Sequence, residues 1–305
     1  MPACFVVDVG HGNATVLAHD HDCVVIDAGP GDALANFLKA QDLQRVLAML
    51  LSHADADHIG GAIALISRLD ADPNFWIEDI YLNPDPRDTA IYKDLVVALQ
   101  DLVRRRGRRP NIHTSLGHGE PVDPITVGLA QVSVLAPSVE QRLHGVGYAP
   151  QDGPAANANR LSAVILISHA DQPWLLAPGD LDQIGFDALL AAGHAIRAPV
   201  LVYPHHGGRA GTDAQSRALA NGLLVHVQPK TVIFSARSAD RRFPAQLTVD
   251  ALLAGNPAPE LVCTGDSPTL QAALATLVEA HSHRNGAGTQ VVEVDANVLV
   301  VRSLS

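Results

Sequence analysis

Short apolar runs alternate with amphipathic segments along most of the chain. Runs rich in Val, Ile and Leu predict strands at 3–9, 14–19, 23–28, 45–51, 76–82, a pair within 124–135, 161–168, 173–177, 198–203, 230–235, 260–263, 289–294 and 297–302. Apolar positions three and four residues apart predict helices at 32–41, 59–70, 87–106, 183–192, 213–224, 247–254 and 268–281. This alternation favours an α/β fold.

Composition is typical of a protein with a substantial core. Of the 305 residues, 47% are hydrophobic and 17% are charged, so the apolar surface suffices for a packed interior. We expect a single domain over 1–305, with a C-terminal hairpin appended at 286–305. The formal net charge of −11 argues against nucleic-acid binding through bulk charge.

Cysteine usage and the lengths of the apolar runs bear on location. Cys4, Cys23 and Cys263 are odd in number and far apart, so we expect no disulfide framework and a reduced, cytoplasmic setting. No apolar run approaches the ~18 residues that a membrane-spanning helix needs. We therefore expect a soluble protein without a membrane partner.

Four side chains with metal-binding groups follow one buried strand. His53, Asp55, Asp57 and His58 come directly after the strand at 45–51 and before a helical segment that begins with glycines. Either aspartate could instead cap that helix. Two imidazoles and two carboxylates within six positions nevertheless favour a divalent metal, because burying such groups together requires a compensating positive charge.

Other candidate ligands also stand where predicted strands begin or end. Asp27 ends the strand at 23–28, Asp180 follows the strand at 173–177, and His205 with His206 follows the strand at 198–203. Asn159 precedes the strand at 161–168. Ligand-type residues thus recur at the ends of several predicted strands. This pattern predicts that these residues converge on one site.

Six stretches of this sequence resemble motifs of the metallo-β-lactamase superfamily, in the same order. They are Asp8-Val-Gly-His-Gly-Asn13, Ile26-Asp-Ala-Gly29, His53-Ala-Asp-Ala-Asp-His58, Asn159-Arg-Leu-Ser162, Pro178-Gly-Asp180 and Pro204-His-His-Gly207. Asp55 in place of the second histidine makes the chain similar to the metallo-β-lactamase-like domain of ComEC competence proteins. The resemblance implies a four-layer αββα sandwich with metal ligands along one edge.

The resemblance also implies two groups of metal ligands. One ion would be held by Asp57, His58, Asp180 and either His205 or His206, and a weaker one by His53, Asp55 and the shared Asp180. Because Asp55 and Asn159 stand where histidines are frequent, oxygen ligands shift the preference from zinc towards manganese, with magnesium a further option. We expect one or two divalent ions.

Residues beside these ligands are predicted to take part in catalysis. The predicted catalytic set is Asp57, Asp27, His11 and Asn159. Asp27 would orient a ligand histidine, although an aspartate before Gly and Pro can simply form a turn. His11 stands where the family has glutamine, and it could replace a histidine that the family has at the position of Phe243.

Gly208 is a further departure, because it replaces a serine of the family motif.

The resemblance implies a phosphodiesterase or nuclease that acts on DNA or RNA through a metal-bound hydroxide. Five arginines at the end of the helix at 87–106 form either a solvated helix end or a phosphate-contacting patch, namely Arg104, Arg105, Arg106, Arg108 and Arg109. Two alternatives remain. One is a hydrolase of small phosphodiesters or esters, and the other is a non-catalytic module or one that an activating partner protein switches on.

Overall fold

The computed structural model describes residues 1–105, 109–149, 154–276, 283–295 and 298–304. Its strands are β1 (Ala3–Val6), β2 (Thr15–His19), β3 (Asp22–Ile26), β4 (Arg45–Leu51), β5 (Trp76–Leu82), β6 (Asn111–His113), β7 (Ile125–Val127), β8 (Ala130–Ala136), β9 (Val164–His169), β10 (Gln172–Ala177), β11 (Val200–Val202), β12 (Thr231–Phe234), β13 (Glu260–Cys263), β14 (Gln290–Asp295) and β15 (Val298–Ser303).

The helices within these residues are mostly short. They are α1 (Ala33–Ala40), α2 (Ala56–Ile59), α3 (Ala62–Ala71), α4 (Ala90–Arg104), α5 (Val139–His144), α6 (Gln183–Ala191), α7 (Asp213–His226), α8 (Gln246–Leu253) and α9 (Pro268–Leu274), with a short 3-10 helix at Pro204–Gly207. Within the described part of the chain, none combines the length and apolar character that crossing a bilayer requires.

Two mixed sheets lie at the centre of the fold. The first has the strand order β15-β14-β1-β2-β3-β4-β5-β6 and the second β13-β12-β11-β10-β9-β8-β7. Strands β3 to β6 run parallel, as do β10 to β13. The C-terminal hairpin extends the first sheet, because β14 pairs with β1. Parallel strands bring their carboxyl ends to one edge of each sheet.

Alternating side chains along the strands divide the core into layers. On β4, Met49 and Leu51 pack with the cluster that contains helix residues such as Leu65, whereas Ala48 and Leu50 face the second sheet. The second sheet is covered in the same way by α6 to α9. The chain therefore has the predicted four-layer αββα sandwich, which confirms the fold class.

Some predicted helix bounds are wrong. The helix expected at 59–70 begins only at Ala62, because Gly60 and Gly61 separate it from the short helix α2. A Cβ atom on Gly61 would lie 2.3 Å from the carbonyl oxygen of Gly29. Glycine is thus needed there for the turn to pack against the loop after β3.

Two further helices are shorter than expected. The helix predicted at 87–106 begins only at Ala90, because the Thr89 side chain caps it, and ends at Arg104. Of the helix predicted at 268–281, the structure has α9, and 277–282 lie outside the described residues.

Candidate metal centre

Four strand ends meet at one edge of the sandwich. Asp27 follows β3 and the 52–58 turn follows β4, which is parallel to β3. Asp180 follows β10 and the 3-10 helix follows β11, which is parallel to β10. Because the carboxyl ends of parallel neighbours point the same way, both sheets deliver ligand-type residues to the cleft between them.

Asp57, His58, Asp180 and His206 form the tightest cluster at this edge. One possible ligand atom from each lies within 4.8 Å of those of the other three. His58 Nε2 is 3.1 Å from Asp180 Oδ1, and His206 Nε2 is 3.1 Å from Asp57 Oδ2. Asp57 alone is partly exposed, at 26% of its side chain, so the cluster opens to solvent on the Asp57 side.

The side chains of the two histidines after β11 lie in different positions. Both have φ of +54°, a conformation that non-glycine residues rarely adopt. His206 joins the cluster, whereas His205 places Nδ1 3.3 Å from Asp180 Oδ2 and lies with Nε2 2.9 Å from Asn159 Nδ2. The Asn159 amide therefore donates to the outer nitrogen of His205. Sequence alone left the choice between the two histidines open, and position favours His206.

The second predicted group of ligands lies beside the first. His53 Nε2 is 3.4 Å from Asp55 Oδ2 and 3.9 Å from Asp180 Oδ2. Two serine hydroxyls, of Ser52 and Ser162, each lie 3.1 Å from His53 Nδ1, on the opposite side of the ring. This arrangement directs Nε2 of His53 towards the carboxylates.

Unpartnered atoms indicate that the cluster fits a cation. Nε2 of His53 and of His58 are buried and have no hydrogen-bond partner in the described structure. Buried polar atoms normally have one, because leaving them unpaired costs free energy. Two free imidazole nitrogens among carboxylates match the donor set of zinc, manganese or a similar divalent ion.

Asp27 fixes the orientation of His58. Its Oδ2 lies 2.7 Å from His58 Nδ1, and its two oxygens also accept hydrogen bonds from the backbone N–H and hydroxyl of Ser52. If Nδ1 of His58 donates to Asp27, Nε2 is left free to act as a ligand.

Electrostatics at the centre keep the carboxylates ionised. Burial raises the pKa of Asp180, but His58 and His206 outweigh it and hold that pKa well below its usual range. The pKa of Asp57 is lowered in the same way, against burial, by the hydrogen bond and charge of His206 and by His58. For His58, burial lowers the pKa, yet Asp180 and Asp27 raise it well above the ordinary value. The ionised carboxylates of Asp57 and Asp180 are therefore balanced either by protonated histidines or by a bound cation.

His11 forms part of the wall beside the cluster. Its ring centroid is 4.6 Å from that of His206 and 4.5 Å from that of Phe243, and its Nε2 lies 3.6 Å from Asp57 Oδ2. Burial lowers the pKa of His11, and the neighbouring His206 lowers it further. The side chain thus lies at the centre, in contact with Phe243.

Sequence reasoning missed three side chains here. Ser52 and Ser162 position His53, and a signal existed for each, since one precedes His53 and the other ends the motif that begins at Asn159. Arg87 binds Asp55, with its Nη2 2.6 Å from Asp55 Oδ1. No sequence pattern pointed to Arg87.

Arg104 and Arg105, at the end of α4, pair with acidic residues outside the centre, and the phosphate-contacting patch stays a prediction. Arg105 pairs with Asp70 near the end of α3, and Arg104 lies 3.7 Å from Asp101. Helices α3 and α4 both start at the edge that carries the centre and run away from it. The 15 residues of α4 span about 22 Å. Arg109 donates to a backbone carbonyl, of Val103, and Arg106 and Arg108 lie outside the described residues.

Comparison with known proteins agrees with this architecture. The model of the family described as the metallo-beta-lactamase superfamily matches residues 7–133. ComE operon protein 3 of Bacillus subtilis is 25% identical over 265 residues, which are 77% of this chain and 28% of that protein. The chain thus matches little more than a quarter of that relative's length. The predicted resemblance to the superfamily and to its ComEC-like group is confirmed.

A solved structure supports the fold independently. The metallo-beta-lactamase fold protein YhfI from Bacillus subtilis superposes with a TM-score of 0.51 at 13% identity, covering 86% of this chain and 97% of that one. At this identity the likeness concerns the fold alone.

Proposed function

Because this chain has the metallo-β-lactamase fold and matches the superfamily's model over residues 7–133, we propose that it is a metal-dependent hydrolase that cleaves phosphodiester bonds in nucleic acid. The observation that carries the reaction class is the cluster of Asp57, His58, Asp180 and His206, with unpartnered imidazole nitrogens directed into it. A divalent ion, when bound, supplies Lewis acidity and neutralises charge that develops on phosphoryl oxygens.

The protein's own residues would prepare this chemistry. Asp57, His58, Asp180 and His206 would hold the first ion, and His53 with Asp55 would offer a weaker second position. Asp27 would hold the His58 ring in place through the 2.7 Å contact, and Asn159 would do the same for His205. His11 would contact the substrate from the wall that it forms with Phe243.

A group of arginines near His11 supports a polyanionic substrate. We call Arg209, Arg237, Arg241 and Arg242 the arginine rim; all four are exposed. Arg242 places its guanidinium 5.4 Å from the centre of the Phe243 ring, which in turn contacts His11. Arg242 therefore connects the rim to His11, beside the open side of the cluster, through the Phe243 ring.

The charge of the rim is local. Asp240 is buried and pairs with Arg237 at 3.2 Å and Arg242 at 2.8 Å, and Asp213 lies 3.3 Å from Arg209. Asp266 also lies next to this loop, through a hydrogen bond to Ser238. The rim concentrates four arginines in a chain whose net charge is −11. Arginine can bind phosphate with two parallel hydrogen bonds, which suits this position.

The resemblance of the motifs to ComEC-like domains, which implies a nuclease, is the other support for nucleic acid as the substrate, and ComE operon protein 3 is a relative of this chain. The matched stretch is only 28% of that protein, so its activity comes to this chain as part of the proposal.

A second candidate function is hydrolysis of a small ester or phosphodiester. A cavity of about 500 Å³ adjoins His53, and no rim arginine lines it. Apolar side chains dominate its walls, among them Pro84, Pro86, Pro137, Leu143 and Leu161. A largely apolar cavity next to a predicted metal ligand is typical of a site for a small ligand.

An activity screen distinguishes these functions. The protein is tested on fluorescently labelled single- and double-stranded DNA, on RNA and on bis(p-nitrophenyl) phosphate, with Mn²⁺, Mg²⁺ and Zn²⁺ in turn. We expect cleavage of a nucleic acid that requires metal and is lost in Asp57→Asn and His58→Ala. Hydrolysis confined to the small ester would favour the second candidate. A protein that binds no metal and hydrolyses none of the substrates would favour a non-catalytic or partner-gated module.

The arginine rim is tested with a matched pair of variants. Arg242→Glu should weaken nucleic-acid binding and lower the salt dependence of binding by about one unit of slope per lost phosphate contact. Arg105→Glu, at the distant end of α4, should leave both unchanged. Equal effects of the two variants would remove the rim from the proposal.

A further inference from the structure

Arg87 binds one of the predicted metal ligands. Its Nη2 lies 2.6 Å from Oδ1 of Asp55, while Oδ2 of the same carboxylate is 3.4 Å from Nε2 of His53. Asp55 therefore divides its two oxygens between a guanidinium and an imidazole. The guanidinium of Arg87 thus places a positive charge beside the position that would accept a second ion.

Asp85 holds Arg87 in this position. Nε of Arg87 donates to both oxygens of Asp85, at 3.0 and 2.8 Å, and its Nη2 lies 2.5 Å from Oδ2. Asp85 is 8% exposed, and it also accepts a hydrogen bond from the backbone N–H of Arg87. The guanidinium is thus fixed from behind by a buried carboxylate, and it presents one nitrogen to Asp55.

The second group of ligands is otherwise prepared for a cation. Nε2 of His53 is buried, has no hydrogen-bond partner, and faces Asp55 and Asp180 at 3.4 and 3.9 Å. The first group, at Asp57 and His206, has no arginine contact of this kind among the described residues. Among the described residues, the two groups of ligands therefore differ, because only the second has an arginine against one of its carboxylates.

We propose that Arg87 competes with a second divalent cation for Asp55 and thereby sets how many metal ions the centre holds. The inference rests on the proposed metal centre. With Arg87 in place, the first ion binds to Asp57, His58, Asp180 and His206, and a second must overcome both the loss of the Arg87–Asp55 pair and repulsion by the guanidinium.

Metal binding by substituted proteins tests this competition without reference to activity. Metal-free protein is titrated with Mn²⁺ by calorimetry, and bound metal is counted by elemental analysis after equilibrium dialysis. Arg87→Gln should leave the first affinity unchanged and tighten the second roughly ten- to a hundredfold, because the competing charge is gone. Arg87→Lys, which keeps the charge, should remain close to the unsubstituted protein.

Two further variants make the result specific. Arg45→Gln removes an arginine that pairs with Glu78 at 2.7 Å at the start of β4, far from the centre, and should change neither affinity. Asp55→Asn should make the second affinity weak whichever residue is at 87, so that the two substitutions are not additive.

The outcomes separate this inference from the proposed function. An unchanged second affinity in Arg87→Gln, with the first ion bound normally and circular dichroism showing a folded protein, would overturn the competition and leave the hydrolase proposal standing. Failure of every protein to bind even one ion would overturn both.

Discussion

Oδ2 of Asp27 and Nδ1 of His58 lie 2.7 Å apart, with both side chains buried. Thirty-one positions separate the two residues in sequence. The contact links the end of β3 to the turn after β4, and it leaves the other nitrogen of His58 free in the cluster.

Asp27→Asn should weaken binding of the first metal ion. The amide keeps the shape of the carboxylate but provides no negative charge for Nδ1–H of His58, so we expect Mn²⁺ affinity to fall roughly 10- to 100-fold. Calorimetric titration measures the change. The matched control is Asp42→Asn, which alters an exposed pair in which Asp42 lies 3.2 Å from His21. Unchanged affinity in Asp27→Asn would show that the contact does not orient the ligand.

Gly208 and Phe243 should behave as a coupled pair. A Cβ atom at Gly208 would lie 2.5 Å from Cε1 of Phe243, so the absence of a side chain at 208 and the large ring at 243 fit each other. Gly208→Ala should lower the free energy of unfolding by about 1–3 kcal/mol through overpacking.

Denaturant unfolding of a double-mutant cycle checks this coupling. Phe243→Leu makes room for the added methyl, and in that background Gly208→Ala should cost clearly less. Strictly additive costs would mean that another contact of residue 208 is responsible.

Asp240 should stabilise the arginine rim only above acidic pH. The hydrogen bonds from Arg242 are the main cause that lowers its pKa, with Arg237 adding to them, so the native state favours the ionised form. A depressed carboxyl pKa contributes stability at pH values above the unfolded-state pKa of about 3.9, and this contribution is lost as pH falls from there towards the folded pKa.

Unfolding of Asp240→Asn measured as a function of pH checks this sign. The unsubstituted protein should be more stable than the variant at pH 7, and the difference should shrink below about pH 4. A difference that stays constant down to pH 2 would contradict the prediction.

The three cysteines should be unreactive in the folded protein. All are fully buried, and burial raises the pKa of Cys23 and of Cys263 to about 12 and that of Cys4 above its usual value. Since the thiolate is the reactive form, a thiol reagent at pH 8 should label none of them natively and all three in denaturant. Rapid labelling of the native protein would show that one of these strands opens.

Much of the fold was predictable because burial imposes a periodicity on the sequence. The run Val46–Leu51 is buried on both faces of a central strand and is therefore almost continuously apolar, which is why β4 was recognised. Short elements carried weaker signals. The three-residue β6 and the six-residue α5, which has no buried residue, were missed for this reason.

Sequence also determined which residue types would converge. His53, Asp55, Asp57 and His58 directly follow a buried strand, and the motifs at Asp180 and at His205–His206 repeat that arrangement. Strand ends in a parallel sheet share one edge, so their convergence follows from local pattern and the sheet rule together.

Only the tertiary structure decided which of these side chains lie next to one another. The choice of His206 over His205 depends on two consecutive left-handed backbone conformations. The pairing of Arg87 with Asp55, and the contact of Arg242 with Phe243 beside the centre, depend on where loops lie. Local sequence sets the periodicity of each element, whereas contacts between residues far apart in sequence are set by how the layers pack. Such contacts leave no local pattern to detect.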